Sequence, residues 1–303
     1  MIACRRECEC GPAFLIGGEG ADTMESTAPQ ALAPAGEELG RMYDESAGLS
    51  QIFIDGQEHL PYWFDDHDDT PAVEAARRIT RKVGDGIGLR AGERLLDAGC
   101  GVGGPAVQLH REFGVRVSGI TISAVQASEA TARAVEAGVA GSVEFHHGDY
   151  RSLPYADGSF DATVAMESLM HATDLGEVLR ELHRVLRPGG RLGISDITRE
   201  AALAGERATE FAKKFQVAQL LSLGEWIDAL RAAGFVVEEY TQCGPRVYGM
   251  GMRYVDRADE LMGELVAGFG EAMVVELKAS YRDYFGWGSD IGYAVIAARK
   301  PYL

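Results

Sequence analysis

The sequence predicts an α/β protein: a seven-stranded, mostly parallel sheet with helices on both faces, N-terminal lid helices before it and an inserted helical cap. Three observations carry that expectation. From about residue 91 onward, short apolar runs of strand length alternate with helical patterns, the rhythm of crossover units on a parallel sheet. One of those runs, Leu95-Leu-Asp-Ala, enters a glycine-rich turn that opens into a helix. Finally, roughly 50 residues of mostly helical pattern separate the last two strand-like runs, far more than a hairpin loop uses.

Taken in order, a leader of residues 1–35 rich in Ala, Gly, Pro and Thr shows no apolar period. Its Cys4, Cys8 and Cys10 fall one residue short of an iron–sulfur spacing and are read as part of a frayed leader, with Met24 a second candidate start. Residues 36–90 form the lid segment. A helix from about Glu37 sets Leu39, Met42 and Tyr43 on one side, and a polar loop studded with aromatics runs from Gln57 to Asp69. Thr70 reads as an N-cap with Pro71 at the first helical position, and Val73, Ala76, Ile79 and Val83 share one face of the helix that follows. Residues 91–303 carry the sheet. Strands are expected at 94–98, 115–120, 143–147, 161–166, 191–197, 235–242 and 293–298, with helices at 103–113, 123–137, 177–186, 206–221 and 223–233. The last opens with Ser-Leu-Gly-Glu from Ser222, a capping box. Cap insertions are expected at about 198–221 and 243–290.

Composition narrows the partners. With 46 acidic and 29 basic residues the formal charge is −17, which opposes a phosphate backbone or an anionic lipid surface as the main partner. Neither nucleic acid nor membrane is expected, and no run of 18 or more apolar residues is present. Five cysteines, three of them crowded at the start, make a poor disulfide framework and point to a cytoplasmic protein.

The glycine turn is the strongest local signal. Gly99 and Gly101 let the backbone approach a ligand, and the helix beyond them aims its amides at a negative group. Gly99, Gly101 and Gly104 also satisfy G-x-G-x-x-G, but a dinucleotide site wants an acid about 20 residues on to hold the ribose. The second strand ends Gly119-Ile-Thr-Ile-Ser instead, while Asp97 precedes the first glycine, where a carboxylate can meet a cationic amino acid.

Leu96-Asp-Ala-Gly-Cys-Gly-Val-Gly resembles the first motif of class I S-adenosylmethionine-dependent methyltransferases, whose fold is Rossmann-like. His147-Gly-Asp-Tyr, Val164-Ala-Met-Glu-Ser-Leu-Met-His and Leu186-Arg-Pro-Gly-Gly-Arg resemble that family's later motifs, in order. The Gly-Ile-Thr-Ile-Ser-Ala-Val-Gln segment is similar to a subgroup of sterol-type and natural-product enzymes. The resemblance implies S-adenosylmethionine as cofactor, S-adenosylhomocysteine as product and no metal. It implies that Asp97, Gly99, Cys100 and Gly101 shape the cofactor site. Thr121, Ile122 and Gln126 then replace the usual ribose acid, with Gln126 a hydroxyl partner; Gly148, Asp149 and Tyr150 lie at the adenine and Met166 at the transfer face. Pro61-Tyr-Trp-Phe is similar to a segment that covers the cofactor, so Tyr62 and Trp63 either do that or pack in the core.

For the reaction itself, His171 is the candidate general base and Glu167 a second acid/base, a cation stabiliser or a loop tie; a purely structural His171 stays open. Tyr43, Met170, Phe211, Phe215 and Tyr248 are the candidate substrate contacts. Aromatic and methionine-rich lid regions favour a hydrophobic small-molecule acceptor and tilt the expectation toward C-methylation of an isoprenoid alkene, with cyclisation following. An O-methyltransferase using His171, and a cofactor-binding scaffold that does not transfer methyl, are the alternatives. A homo-oligomer in which the N-terminal helix closes a neighbour's pocket is a further expectation.

Overall fold

Leu95 and Leu96 point to opposite faces of β1 (Arg94–Ala98), and both are fully buried, so this strand must be central and covered twice. In the computed structural model, which describes residues 39–40, 43–44, 52–201, 203–218 and 220–302, that is what surrounds it. β1 lies between β2 (Arg116–Thr121) and β4 (Phe160–Met166), parallel to both. β3 (Val143–His147) adds in parallel outside β2, and β5 (Leu186–Arg199) in parallel outside β4. β7 (Ile291–Arg299) then pairs antiparallel with both β5 and β6 (Val236–Gln242). The strand order β3-β2-β1-β4-β5-β7-β6 reverses direction of growth at β1, which opens a crevice at the carboxyl ends of β1 and β4.

Alternation along the strands divides the core between the faces. Leu95, Val117, Val164 and Val295 pack with Ile79 and Val83 of α1 (Ala72–Gly86) and Leu109 of α2 (Gly104–Phe113). Leu96, Ile120, Ala165 and Ile296 pack with Leu179 and Leu182 of α4 (Leu175–Val185) and Trp226 of α6 (Leu223–Ala232). Ala134 of α3 (Ala124–Glu136) joins the first cluster.

Cap chemistry explains most helix starts. Ser123 accepts from the Gln126 amide, Asp174 from Glu177, and Ser222 forms the full capping box with Glu225. Two expectations need correction. Pro71, not Thr70, occupies the N-cap position of α1, because the Thr70 hydroxyl is engaged with Arg78 at 2.6 Å. The helix expected over 206–221 ends as α5 (Glu206–Lys214): Gln216 takes a positive φ of 54°, and the chain then runs alongside β5, Arg199 donating to the Leu221 carbonyl. The cysteine-rich leader, Met24 and Met42 lie outside the described residues. Leu39 and Tyr43 are helical, as are residues 52–54.

Between β6 and β7 the chain folds into α7 (Arg253–Glu260), α8 (Met262–Phe269) and α9 (Glu271–Phe285). The segment before α1 packs onto this helical group: Phe53 stacks on Tyr254 with centroids 5.4 Å apart, and Trp63 donates its backbone amide to the Arg246 carbonyl. Among the described residues no helix is long and apolar enough to cross a membrane.

The same segment is pinned to α1 by a buried polar chain, in which His59 Nε2 donates to Thr80 Oγ1 at 2.8 Å and Thr80 donates to Gln57 Oε1. Burial lowers the His59 pKa from 6.5 to about 4. The folded state therefore binds fewer protons than the unfolded chain between those values, so stability is full above pH 6.5 and falls as pH drops toward 4. Urea unfolding followed from pH 7.5 to 4 should show this decline, reduced in His59→Gln; an undiminished decline in the variant would assign it elsewhere.

Candidate active site

The crevice at the ends of β1 and β4 holds a cavity of about 480 Å³. Its floor is the glycine turn. Asp97, the last polar residue of β1, is 1% exposed, and its Oδ2 has no hydrogen-bond partner among the described residues. Burial alone raises its pKa to about 7. A buried carboxylate left with an unused oxygen beside a cavity is an incomplete site, and an ammonium group completes it. Gly99, Cys100 and Gly101 line the cavity next to it.

The β2 end differs from the expectation for Gln126. Thr121 donates to Gln126 Oε1 at 2.7 Å, and Gln126 Nε2 donates to both carboxylate oxygens of Glu58, at 3.1 and 3.2 Å. Gln126 lines the cavity, but its two ends are already engaged. Glu58 also accepts the Val102 amide at 2.8 Å. Sequence reasoning missed Glu58, which lay unremarked in an acid-rich loop; the missing acid at the β2 end was the signal to look for one elsewhere.

At β3, Gly148, Asp149 and Tyr150 reach the cavity as expected, and Ile122 faces them from β2. Asp149 is braced by Arg151, whose Nη2 donates at 2.6 Å, while Tyr150 donates to the Ser168 carbonyl. Met166 closes the β4 side.

Beyond Met166 the residues bearing on proton transfer come together. Glu167 sits in the left-handed region at φ 48°, a strain that surrounding contacts must hold. Its Oε1 accepts from the Leu60 amide at 2.6 Å and from the Tyr293 hydroxyl at 2.8 Å, so it does tie the loop; burial lifts its pKa to about 7. His171 Nδ1 lies 3.2 Å from the Gln216 carbonyl, which can only accept, so the ring proton sits on Nδ1. Nε2 is then a lone pair, and the Tyr43 hydroxyl donates to it at 2.8 Å. Burial lowers the His171 pKa to about 4 and raises that of Tyr43. Asp196, also missed, is 2% exposed and accepts the Met170 amide at 3.1 Å, fixing the turn Leu169–His171. An acid inside the apolar run of β5 was its only sequence signal.

Several expected contacts are placed elsewhere. Tyr62 and Trp63 do not line this cavity. Trp63 is 1% exposed and donates its indole N–H to the Thr70 carbonyl, and Tyr62 pairs with Arg246, so the core-packing alternative describes them. Phe211, Phe215 and Tyr248 pack on Tyr284 and one another, with centroids 4.8–5.8 Å apart, and Tyr248 donates to the Tyr284 carbonyl. Met170 packs against the same core. Of the candidate substrate contacts, Tyr43 alone lines the cavity.

Comparison with known proteins identifies the family. Residues 96–194 match the family model described as a methyltransferase domain. The chain is 36% identical to the O-methyltransferase resE of Aspergillus sclerotiorum, over 89% of this chain and 99% of that one. It is 35% identical to the 27-O-demethylrifamycin SV methyltransferase of Amycolatopsis mediterranei, over 88% and 98%. The crystal structure of the [4+2]-cyclase SpnF superposes with a TM-score of 0.77 at 34% identity, covering 89% of this chain and 97% of that one. The chain belongs to the class I S-adenosylmethionine-dependent methyltransferases.

It is a methyltransferase of the natural-product type, acting on a small molecule. The residues present fit the cofactor: an orphaned carboxylate oxygen on Asp97, a glycine turn lining the cavity, and polar groups along the ends of β1, β2 and β3. Among the described residues no cluster of three or more His, Cys, Asp or Glu could hold a metal ion. If Asp97 meets the cofactor's amino group, Asp97→Asn should weaken S-adenosylhomocysteine binding about tenfold or more. The same substitution should stabilise the unliganded methyltransferase. A raised carboxyl pKa means stability is lost as pH climbs from 3.8 to about 7, and asparagine removes that loss. Thermal melts with and without ligand at pH 7 and pH 4.5 check both; unchanged binding would remove Asp97 from the site.

Proposed function

We propose that this methyltransferase transfers the methyl group of S-adenosylmethionine to a hydroxyl oxygen of a hydrophobic natural product, with His171 as the proton acceptor. The observation that carries this is the tautomer: the Gln216 carbonyl holds the proton on Nδ1, so Nε2 offers its lone pair toward the cavity, with the Tyr43 hydroxyl on it at 2.8 Å. Alkene methylation needs no base for attack, and the aromatic cluster that favoured a carbocation is spent on its own packing rather than on the cavity wall. The relative named above as an O-methyltransferase, and the one named for a 27-O-demethyl substrate, support the same reading.

The bound cofactor supplies an electrophilic methyl, so this chain's residues have chiefly to orient the acceptor, exclude water and receive a proton. The acceptor hydroxyl donates to Tyr43 Oη. As its oxygen takes the methyl, its proton passes to Tyr43 and the Tyr43 proton to His171 Nε2, which leaves tyrosine neutral and an imidazolium in a buried pocket. Glu167, whose pKa burial lifts to about 7, lines the same cavity as His171. Asp97 and the glycine turn hold the amino acid end of the cofactor; Asp149 takes its adenine. A lowered His171 pKa keeps the base neutral and available at every pH above about 4.

His171→Ala should lower kcat by about 10²–10⁴-fold and Tyr43→Phe by about tenfold, measured with a hydroxylated polyketide-type acceptor panel. Near-normal turnover of His171→Ala at pH 7 would end its role as base. Product NMR should show a methoxy carbon; a new carbon–methyl bond would instead return the alkene reading. Tight binding of S-adenosylhomocysteine with no methyl transfer across the panel would favour a rearrangement built on the same scaffold.

A further inference from the structure

Glu58 is held in an unusual way for a loop side chain. Asp55, Gly56 and Glu58 all take positive φ, at 53°, 68° and 49°, so the backbone turns sharply just where it meets the glycine loop. Arg133 fixes that turn from α3, donating to the Asp55 carbonyl at 3.1 Å and to the Val102 carbonyl at 3.0 Å. The loop in turn is carved to receive it. A Cβ on Gly104 would sit 2.3 Å from the Gly56 carbonyl oxygen, and one on Gly101 would sit 1.6 Å from Glu58 Oε2. Gly104 could bear no side chain with the segment docked, and one on Gly101 would displace the Glu58 carboxylate.

The result is a carboxylate that lines the cavity at the end of β2, between Gly101 and Gln126. That is where the sheet offers no acid of its own, since β2 ends at Thr121 and Ile122 follows it. Gln126 spends its carbonyl on Thr121 and its amide on Glu58, so the charged acceptor there belongs to Glu58. A pair of vicinal hydroxyls is recognised best by a carboxylate that can accept from both.

We propose that Glu58 supplies the ribose-recognising acid of this methyltransferase from the segment before the sheet, so that docking of residues 55–58 on the glycine loop completes the nucleoside site. This rests on the cofactor occupying the cavity as set out above. Holding the acid on the docked segment rather than on β2 makes hydroxyl recognition conditional on closure of that segment.

Calorimetric titration of the full chain with S-adenosylhomocysteine and with its 2′,3′-dideoxy analogue tests it. The unsubstituted protein should prefer S-adenosylhomocysteine. Glu58→Ala should lower affinity for S-adenosylhomocysteine by about 10- to 100-fold yet change affinity for the analogue by less than about threefold. Equal losses for both ligands would overturn the proposal and make Glu58 a clamp. If melting curves show that Glu58→Ala does not fold, Glu58→Gln, which keeps the shape and the acceptor for the Val102 amide, carries the same comparison, with a smaller loss confined to S-adenosylhomocysteine. Failure of the unsubstituted protein to bind S-adenosylhomocysteine would instead overturn the cofactor site itself.

Discussion

Close packing of one backbone segment against another, across Gly101 and Gly104, is the contact on which the site depends. The glycine turn faces two ways. Toward the cavity it leaves room for a ligand, and toward the N-terminal segment it admits Gly56 and the Glu58 carboxylate at distances no Cβ would allow. Arg133 bridges the two backbones, and the buried His59–Thr80–Gln57 chain fastens the next residues to α1. The wall of the cavity at β2 is therefore made by two stretches of chain far apart in sequence, and each is shaped by the other.

Burial governs the chemistry of the opposite wall. Glu167, His171 and Asp196 all lie in surroundings that disfavour charge, which pushes the two carboxyls up and the imidazole down. Backbone amides from Leu60, Met170 and Ile197 partly offset this for the acids, while a backbone carbonyl decides the histidine tautomer. That arrangement keeps the imidazole neutral above about pH 4 and gives Glu167 a carboxyl that titrates near neutrality, a difference set by environment rather than by residue type. Gln216 contributes through its carbonyl alone, and it does so because α5 stops at Lys214 and the chain turns through a left-handed residue.

The helices between β6 and β7 extend the core on the α1 face of the sheet. Their aromatic residues meet those of α5 and of the segment around Phe53, and the tyrosine and phenylalanine rings pack face-on or edge-on with centroids about 5 Å apart, a spacing at which aromatic pairs attract. Such a cluster holds the N-terminal segment down over the sheet. Its apolar surface is consumed by that task, which is why composition overstated how greasy the cavity is.

Periodicity and local chemistry made the sheet legible: the short apolar run of β1, the capping box at Ser222, the apolar stripe of α1 and the glycine turn are properties of neighbouring residues, so the seven strands and the positions of Asp97, Asp149, Met166 and His171 could be read from the chain. Asp97 was visible because its motif is local. Glu58 and Asp196 were not, because each acts on a backbone amide brought to it by the fold, from Val102 and Met170. Phe211, Phe215 and Tyr248 were misplaced, and Tyr62 and Trp63 left undecided, for the converse reason: an aromatic side chain carries no mark of whether it will face a cavity or another ring. The sequence by itself determined which atoms could do chemistry and in what order they lie along the sheet. Tertiary structure alone decided which of them share a cavity, which carbonyl holds the proton on His171 and which carboxylate stands at the end of β2, since those outcomes depend on contacts between segments that no local pattern records.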